Sequence, residues 1–248
     1  MQVGFIGAGN MARALARGWG EPVLASDAGS GRAEALVQEL GGEALSNREL
    51  AERADIVVLC HKPYQLEQVA QDIAAKAKLI ASVVGGTPVT QLEQAYPDTP
   101  VFSLIPNTAV EVRRGIICYA KPDPPAERED EVLALFSRLG RVVALQGRAL
   151  EAATAIASVG PAYQALLVEA QVDAGVRYGL NAQLASELVV ETMAGSAALL
   201  EKRDYDTLAV RREVTSPGGT TARGLEALER HGVRTAFQAA IDAVRDWP

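Results

Sequence analysis

Short apolar runs alternate with stretches of helical periodicity through the first part of the chain. Gln2–Ile6, Pro22–Ser26, Asp55–Cys60, Leu79–Val84, Val101–Ile105, Ile116–Tyr119 and Val142–Leu145 read as strands. Between several of them apolar positions recur every three or four residues, as in Arg32–Leu40, where Ala33, Leu36, Val37 and Leu40 share one face and Gly41-Gly42 ends the helix. Tyr64–Ala75 and Glu127–Leu139 repeat that pattern. Strands alternating with helices predict a parallel, doubly wound α/β sheet, whose ligands lie at the carboxyl ends of the strands.

From about Leu150 no strand pattern returns. Tyr163, Leu166, Leu167 and Ala170 mark one amphipathic helix opened by Pro161, and Asn181 is placed to cap the next, which carries Leu184, Leu188 and Leu199. Thr235 is expected to cap a last helix with Phe237, Ala240, Ile241 and Val244 on one face. A half that exposes apolar helix faces needs a partner, so a homodimer or higher homo-oligomer is expected through it. The division that follows is residues 1–148 for dinucleotide binding and 149–248 for a helical dimerisation and substrate domain.

The chemistry begins at the first strand. Gly7-Ala8-Gly9-Asn10-Met11-Ala12 is a G-x-G-x-x-A run between that strand and a helix. Gly7 makes the tight turn, Gly9 lets the backbone approach a pyrophosphate, and a small residue at position 12 allows close helix–strand packing. The second strand ends in Ser26 and Asp27, about twenty residues on, where an acidic side chain meets the adenosine ribose hydroxyls. Asp27 favours NAD and Arg32 favours NADP, so the cofactor is NADP or NAD. Cys60-His61-Lys62-Pro63, Val84-Gly85-Gly86 and Ile105-Pro106-Asn107-Thr108 sit at further strand ends and are expected to wall the nicotinamide pocket. Asn107 is a candidate contact for substrate or nicotinamide. His61 is expected to offer backbone atoms to the cofactor.

Near the other end, Ser216-Pro217-Gly218-Gly219 is a turn signal, followed by a helix over Thr220–Arg230. Free amides at a helix N-terminus, beside the hydroxyls of Ser216, Thr220 and Thr221, suit a carboxylate or phosphate.

Composition narrows the classes. Asp and Glu number 31 against 24 Lys and Arg, and no basic cluster occurs, so no nucleic acid is expected as partner. The apolar runs are strand-sized, which predicts no membrane span, and the opening strand leaves no room for a signal peptide. Cys60 and Cys118 are the only cysteines, without C-x-x-C spacing, and His61 and His231 lie far apart, so reduced thiols, no metal and a cytoplasmic protein are expected.

With both halves in view, the chain resembles the pyrroline-5-carboxylate reductases over nearly its whole length. The likeness rests on Gly7–Ala12, Lys62-Pro63, Pro106-Asn107-Thr108, Gly160-Pro161-Ala162-Tyr163 and Val214–Thr221. It implies an N-terminal Rossmann domain, a helical domain that intertwines in a dimer, and a small cyclic imino acid as substrate. It also implies that the substrate carboxylate rests on the amides of the turn through Ser216, Gly218, Gly219 and Thr220. Thr221 matches the hydroxyl that contacts the ring nitrogen, and Asn47 matches a cofactor-contacting Asn. The chain departs from the family pattern at Cys60-His61 (commonly Ala-Val), Ala109 (Pro), Ala157-Ser158-Val159-Gly160 (Ser-Gly-Ser-Gly) and Glu213 (Asn). Two other readings are a regulator that binds NAD(P) without turnover and a reductase of a related cyclic imine. A 3-hydroxyacid dehydrogenase is disfavoured, because no Lys follows Gly160-Pro161 until Lys202.

Overall fold

The computed structural model describes residues 1–122 and 126–245. The chain divides into two compact units, Met1–Pro161 and Ala162–Pro248.

The first unit is built on one sheet. In chain order it runs β1 (Val3–Ile6), α1 (Asn10–Trp19), β2 (Val23–Ser26), α2 (Arg32–Leu40), β3 (Gly42–Ala44), α3 (Asn47–Arg53), β4 (Ile56–Leu59) and α4 (Leu66–Ile73). It continues through β5 (Ile80–Ser82), α5 (Val89–Ala95), β6 (Val101–Pro106), β7 (Gly115–Ala120), α6 (Glu129–Ser137), β8 (Gly140–Leu145) and α7 (Gly147–Ala157). The strand order is β3-β2-β1-β4-β5-β6-β7-β8. Successive side chains of the central strands enter opposite cores. Phe5, Ala25 and Val58 pack on one face with Trp19 and Phe136, while Ile6, Leu24, Val57 and Leu59 pack on the other with Leu50 and Ile73. This two-sided burial explains the unbroken apolar runs of the sequence.

Two features were not foreseen. The sheet is parallel from β3 through β6, but β7 pairs antiparallel with β6 and carries β8 with it. Between β6 and β7 the chain makes only a 3₁₀ turn, Thr108–Val112, with Arg113 left-handed at φ 58°. So short a connection reverses the chain, whereas a parallel return needs a dozen or more residues. The second feature is β3, whose three residues are exposed and lack an apolar run. Its pairing with β2 alone defines it. The helix α7 packs on β7 and so belongs to the first unit.

The second unit is all helical among its described residues: α8 (Gly160–Arg177, which begins just before the division), α9 (Ala182–Lys202), α10 (Thr207–Glu213), α11 (Thr220–Arg230) and α12 (Val233–Arg245). Asn181 caps α9 as expected, its side chain accepting from the Leu184 amide at 2.9 Å. Thr235 does not cap α12. That helix starts two residues earlier, where Gly232 at φ 77° ends the preceding turn. Tyr163 and Phe237 meet edge to face at 6.4 Å and tie α8 to α12. Ala185 is the one described residue of this unit that is buried.

Candidate active site

The turn after β1 is held from two sides. Gly7 has φ 94°, and a Cβ there would lie 2.7 Å from the Cys60 carbonyl and the His61 amide. Its own amide donates to the Ser26 carbonyl at 2.8 Å, and the Cys60 amide donates to the Ile6 carbonyl at 2.8 Å. Gly7, Ser26, Cys60 and His61 are thereby gathered at the carboxyl ends of β1, β2 and β4. Gly9 is the N-cap of α1 without a side-chain cap, and the space where its Cβ would lie is open. Ala8 and Ala12 are buried, while Asn10 is exposed and Met11 half-buried at the first turn of α1. A bare helix N-terminus with an open approach over glycine fits a dinucleotide pyrophosphate.

At the tip of β2 the structure commits Asp27 locally. Its carboxylate accepts from the amides of Gly29, Ser30, Arg32 and Ala33 and from the Ser30 hydroxyl, at 2.7–3.0 Å. Burial acts to raise this carboxyl, but the hydrogen bonds, that of the Ser30 hydroxyl foremost, outweigh it and hold the group at about 2. The carboxylate thus caps α2 across the Gly29–Gly31 loop. Beside it, the Ser26 hydroxyl donates to Asn47 Oδ1 at 2.7 Å, and Asn47 Nδ2 donates to Asp72 Oδ2 at 2.9 Å. Asn47 opens α3 behind a capping box in which Ser46 and Glu49 exchange hydrogen bonds.

After β4, the His61 imidazole is 8% exposed, with Nδ1 2.8 Å from the Lys62 carbonyl. The carbonyl can only accept, so Nδ1 carries the proton, and the buried Nε2 has no partner. Burial lowers the His61 pKa, partly countered by the Lys62 carbonyl. The Lys62 amide donates to Gln65 Oε1 at 3.0 Å, and Lys62, Pro63 and Tyr64 are exposed. Asn107 is buried, with both ends of its amide engaged: Nδ2 donates to the Ala157 carbonyl at 3.1 Å and Oδ1 accepts from the Ile116 amide at 3.3 Å. It fastens the β6–β7 connection to α7.

Within the helical unit, Ser216–Gly219 forms a hydrogen-bonded turn, with the Gly219 amide donating to the Ser216 carbonyl at 3.0 Å. Pro217 occupies its second position and Gly218, at φ 68°, its third, the arrangement of a type II turn. A Cβ on Gly219 would sit 2.3 Å from Ser216 Oγ, so a larger residue here requires the serine hydroxyl to turn away. Gly219 is the N-cap of α11 and offers no side-chain cap. The first-turn amides of α11 therefore lack helical acceptors, and Thr220 and Thr221 stand over them. Glu213, closing α10, pairs with Arg203 through two contacts of 2.7 and 3.3 Å.

Asp72 and Arg203 carry no motif and were not anticipated. They are found only through the packing of α3 with α4 and of α9 with α10. Among the described residues no cluster of potential ligands for a metal occurs, and no helix is long and apolar enough to cross a membrane.

Two family models match the chain. One described as pyrroline-5-carboxylate reductase dimerisation covers residues 148–246, and one described as NADP oxidoreductase coenzyme F420-dependent covers residues 2–86. The pyrroline-5-carboxylate reductase of Mycobacterium leprae is 37% identical over 241 residues, spanning 86% of this chain and 82% of its own. That of Synechocystis is 33% identical over 266 residues, spanning 99% and 95%. The crystal structure of the Plasmodium falciparum pyrroline carboxylate reductase with NADP bound superposes with a TM-score of 0.87 at 30% identity, covering 99% of this chain and 96% of that one. Identity of this level across both halves of the chain places it in the pyrroline-5-carboxylate reductase family of NAD(P)-dependent oxidoreductases.

Proposed function

We propose that this protein reduces 1-pyrroline-5-carboxylate to L-proline, acting on a CH–NH bond, as a cytoplasmic homodimer or higher homo-oligomer. Residues 1–148 bind the dinucleotide and 149–248 bind substrate and partner. The observation that carries the reading is the type II turn at Ser216–Gly219, which delivers the bare N-terminus of α11 with Thr220 and Thr221 upon it. Amides of Gly218, Gly219, Thr220 and Thr221, with the Ser216 hydroxyl, hold the substrate carboxylate. The Thr221 hydroxyl makes no hydrogen bond within the described residues and is free to meet the ring nitrogen. The Gly7–Met11 turn receives the pyrophosphate, Ser26 and Asn47 meet the ribose at the strand end that Asp27 closes, and Cys60–Pro63 and Asn107 line the nicotinamide side. When bound, the cofactor supplies the hydride. A protonated imine becomes a neutral amine, so little charge develops and positioning provides most of the rate. Thr221 accepts from the N–H of the protonated imine and so orients the ring for hydride addition.

The test is oxidation of NADH and NADPH by the purified protein with pyrroline-5-carboxylate. Thr221→Ala is expected to lower turnover by about 100-fold with cofactor affinity nearly unchanged. Equal turnover in the variant removes Thr221 from the mechanism. Cofactor binding without turnover of this substrate by the wild type points instead to a related cyclic imine or to a regulator.

A further inference from the structure

The hydrogen bonds at the end of β2 have a direction, and one residue sets it. A carboxylate accepts and cannot donate, so Asp72 obliges Asn47 to turn its NH2 group toward α4. Asn47 Oδ1 is thereby left facing Ser26, whose single proton is spent on it. Gln68, one turn earlier on α4, donates to the other Asp72 oxygen at 3.4 Å. The consequence is a Ser26 oxygen that retains only acceptor capacity, beside an Asn47 amide that retains one N–H.

In dinucleotide folds the end of the second strand is where the adenosine ribose lies. The usual acidic contact there, Asp27, has its carboxylate taken up by the cap of α2, and the Ser30 hydroxyl is spent on it too. Contact with the ribose therefore falls to Ser26 and Asn47. One acceptor beside one donor matches a hydroxyl, which both donates and accepts. From this pair a 2′-phosphate, which only accepts when ionised, receives a single hydrogen bond, with the Asp72 carboxylate close behind it.

We infer that Asp72 is a positioning residue that fixes the polarity of the Ser26–Asn47 pair and thereby sets the discrimination between the 2′-hydroxyl of NADH and the 2′-phosphate of NADPH. The inference rests on the dinucleotide-binding reading of the first unit. In Asp72→Asn the Gln68 amide keeps the remaining oxygen on its own side, so the new NH2 group faces Asn47 and donates to its Oδ1, the Asn47 amide turns round, and the Ser26 hydroxyl is released to donate to the ligand.

The experiment is direct titration of the full-length protein with NADH and with NADPH, without substrate. Asp72→Asn is expected to shift the ratio of the two dissociation constants toward NADPH by about tenfold, the worth of one good hydrogen bond. Ser26→Ala, which removes the hydroxyl, is expected to weaken NADH and leave NADPH nearly unchanged. On that background Asp72→Asn shifts the ratio no further. The inference is overturned if Asp72→Asn leaves the ratio unchanged, or if its shift survives in the absence of the Ser26 hydroxyl, since loss of charge alone then explains it. Should Asp72→Asn not fold, Ser26→Ala decides alone: equal weakening of both nucleotides overturns the inference. Tight binding with the wrong ratios sinks only this inference, whereas no binding of either nucleotide sinks the dinucleotide reading with it.

Discussion

His61 shows how a single residue can be expensive. Its Nε2 is buried without a partner, and an orphaned polar atom costs about 1–3 kcal/mol. The Lys62 carbonyl that receives Nδ1–H also accepts from the Gln65 amide at 3.0 Å, so it stays satisfied without the imidazole. His61→Val, which removes the unpaired ring nitrogen, is therefore expected to stabilise the protein by about 1 kcal/mol. The pH dependence follows from the lowered His61 pKa. The unfolded chain takes up a proton below about 6.5 and the native state does so only at lower pH, so stability is full above that value and falls as the solution is acidified. Urea titrations over this range check both points: the variant is expected to lose the slope. An unchanged slope would show that the imidazole titrates normally in the native state. Asp27 offers the complementary case. The sequence identifies an acid at the end of a strand, and only the fold of Gly29–Ala33 around it reveals that the acid caps a helix.

At the scale of elements, bounds are legible where backbone chemistry forces them. The expected Arg32–Leu40 and Thr220–Arg230 are the helices found, because glycine at the end of one and a Pro-Gly-Gly turn before the other leave no choice. The Thr235 cap failed because Gly232 had already turned the chain and the helix began at Val233. The strand β3 escaped because nothing in Gly42-Glu43-Ala44 is apolar enough to mark it. The capping box of α3 supports a prediction. Ser46→Ala removes the acceptor for the Glu49 amide and is expected to cost about 1 kcal/mol. Thermal unfolding at fixed pH reads it, and an unaltered midpoint would mean that packing alone holds α3.

The whole molecule poses a question of burial. Two cores sandwich the sheet of the first unit, yet the second buries Ala185 alone among its described residues, and leaves Leu166, Leu188 and Val190 about half or more exposed. Such a unit is expected to complete its core against a partner, and it matches a family described as pyrroline-5-carboxylate reductase dimerisation. Apparent stability is then expected to rise with protein concentration, by about 1.4 kcal/mol for each tenfold increase. A midpoint independent of concentration in thermal scans would contradict a dimer held through these helices. By itself the sequence determined the two-part architecture, the glycine turn at Gly7–Ala12 and the turn that opens at Ser216. Each is local, set by glycine, proline and the period of apolar residues, which act over a few neighbours. Only the tertiary structure decided the reversal at β7, the hydrogen bonds that engage the side chains of Asp27 and Asn107, and the Ser26–Asn47–Asp72 chain. The first two follow from how a short connection or loop folds, which apolar periodicity does not report, and the others from groups 21 to 50 residues apart that meet only once the elements have packed.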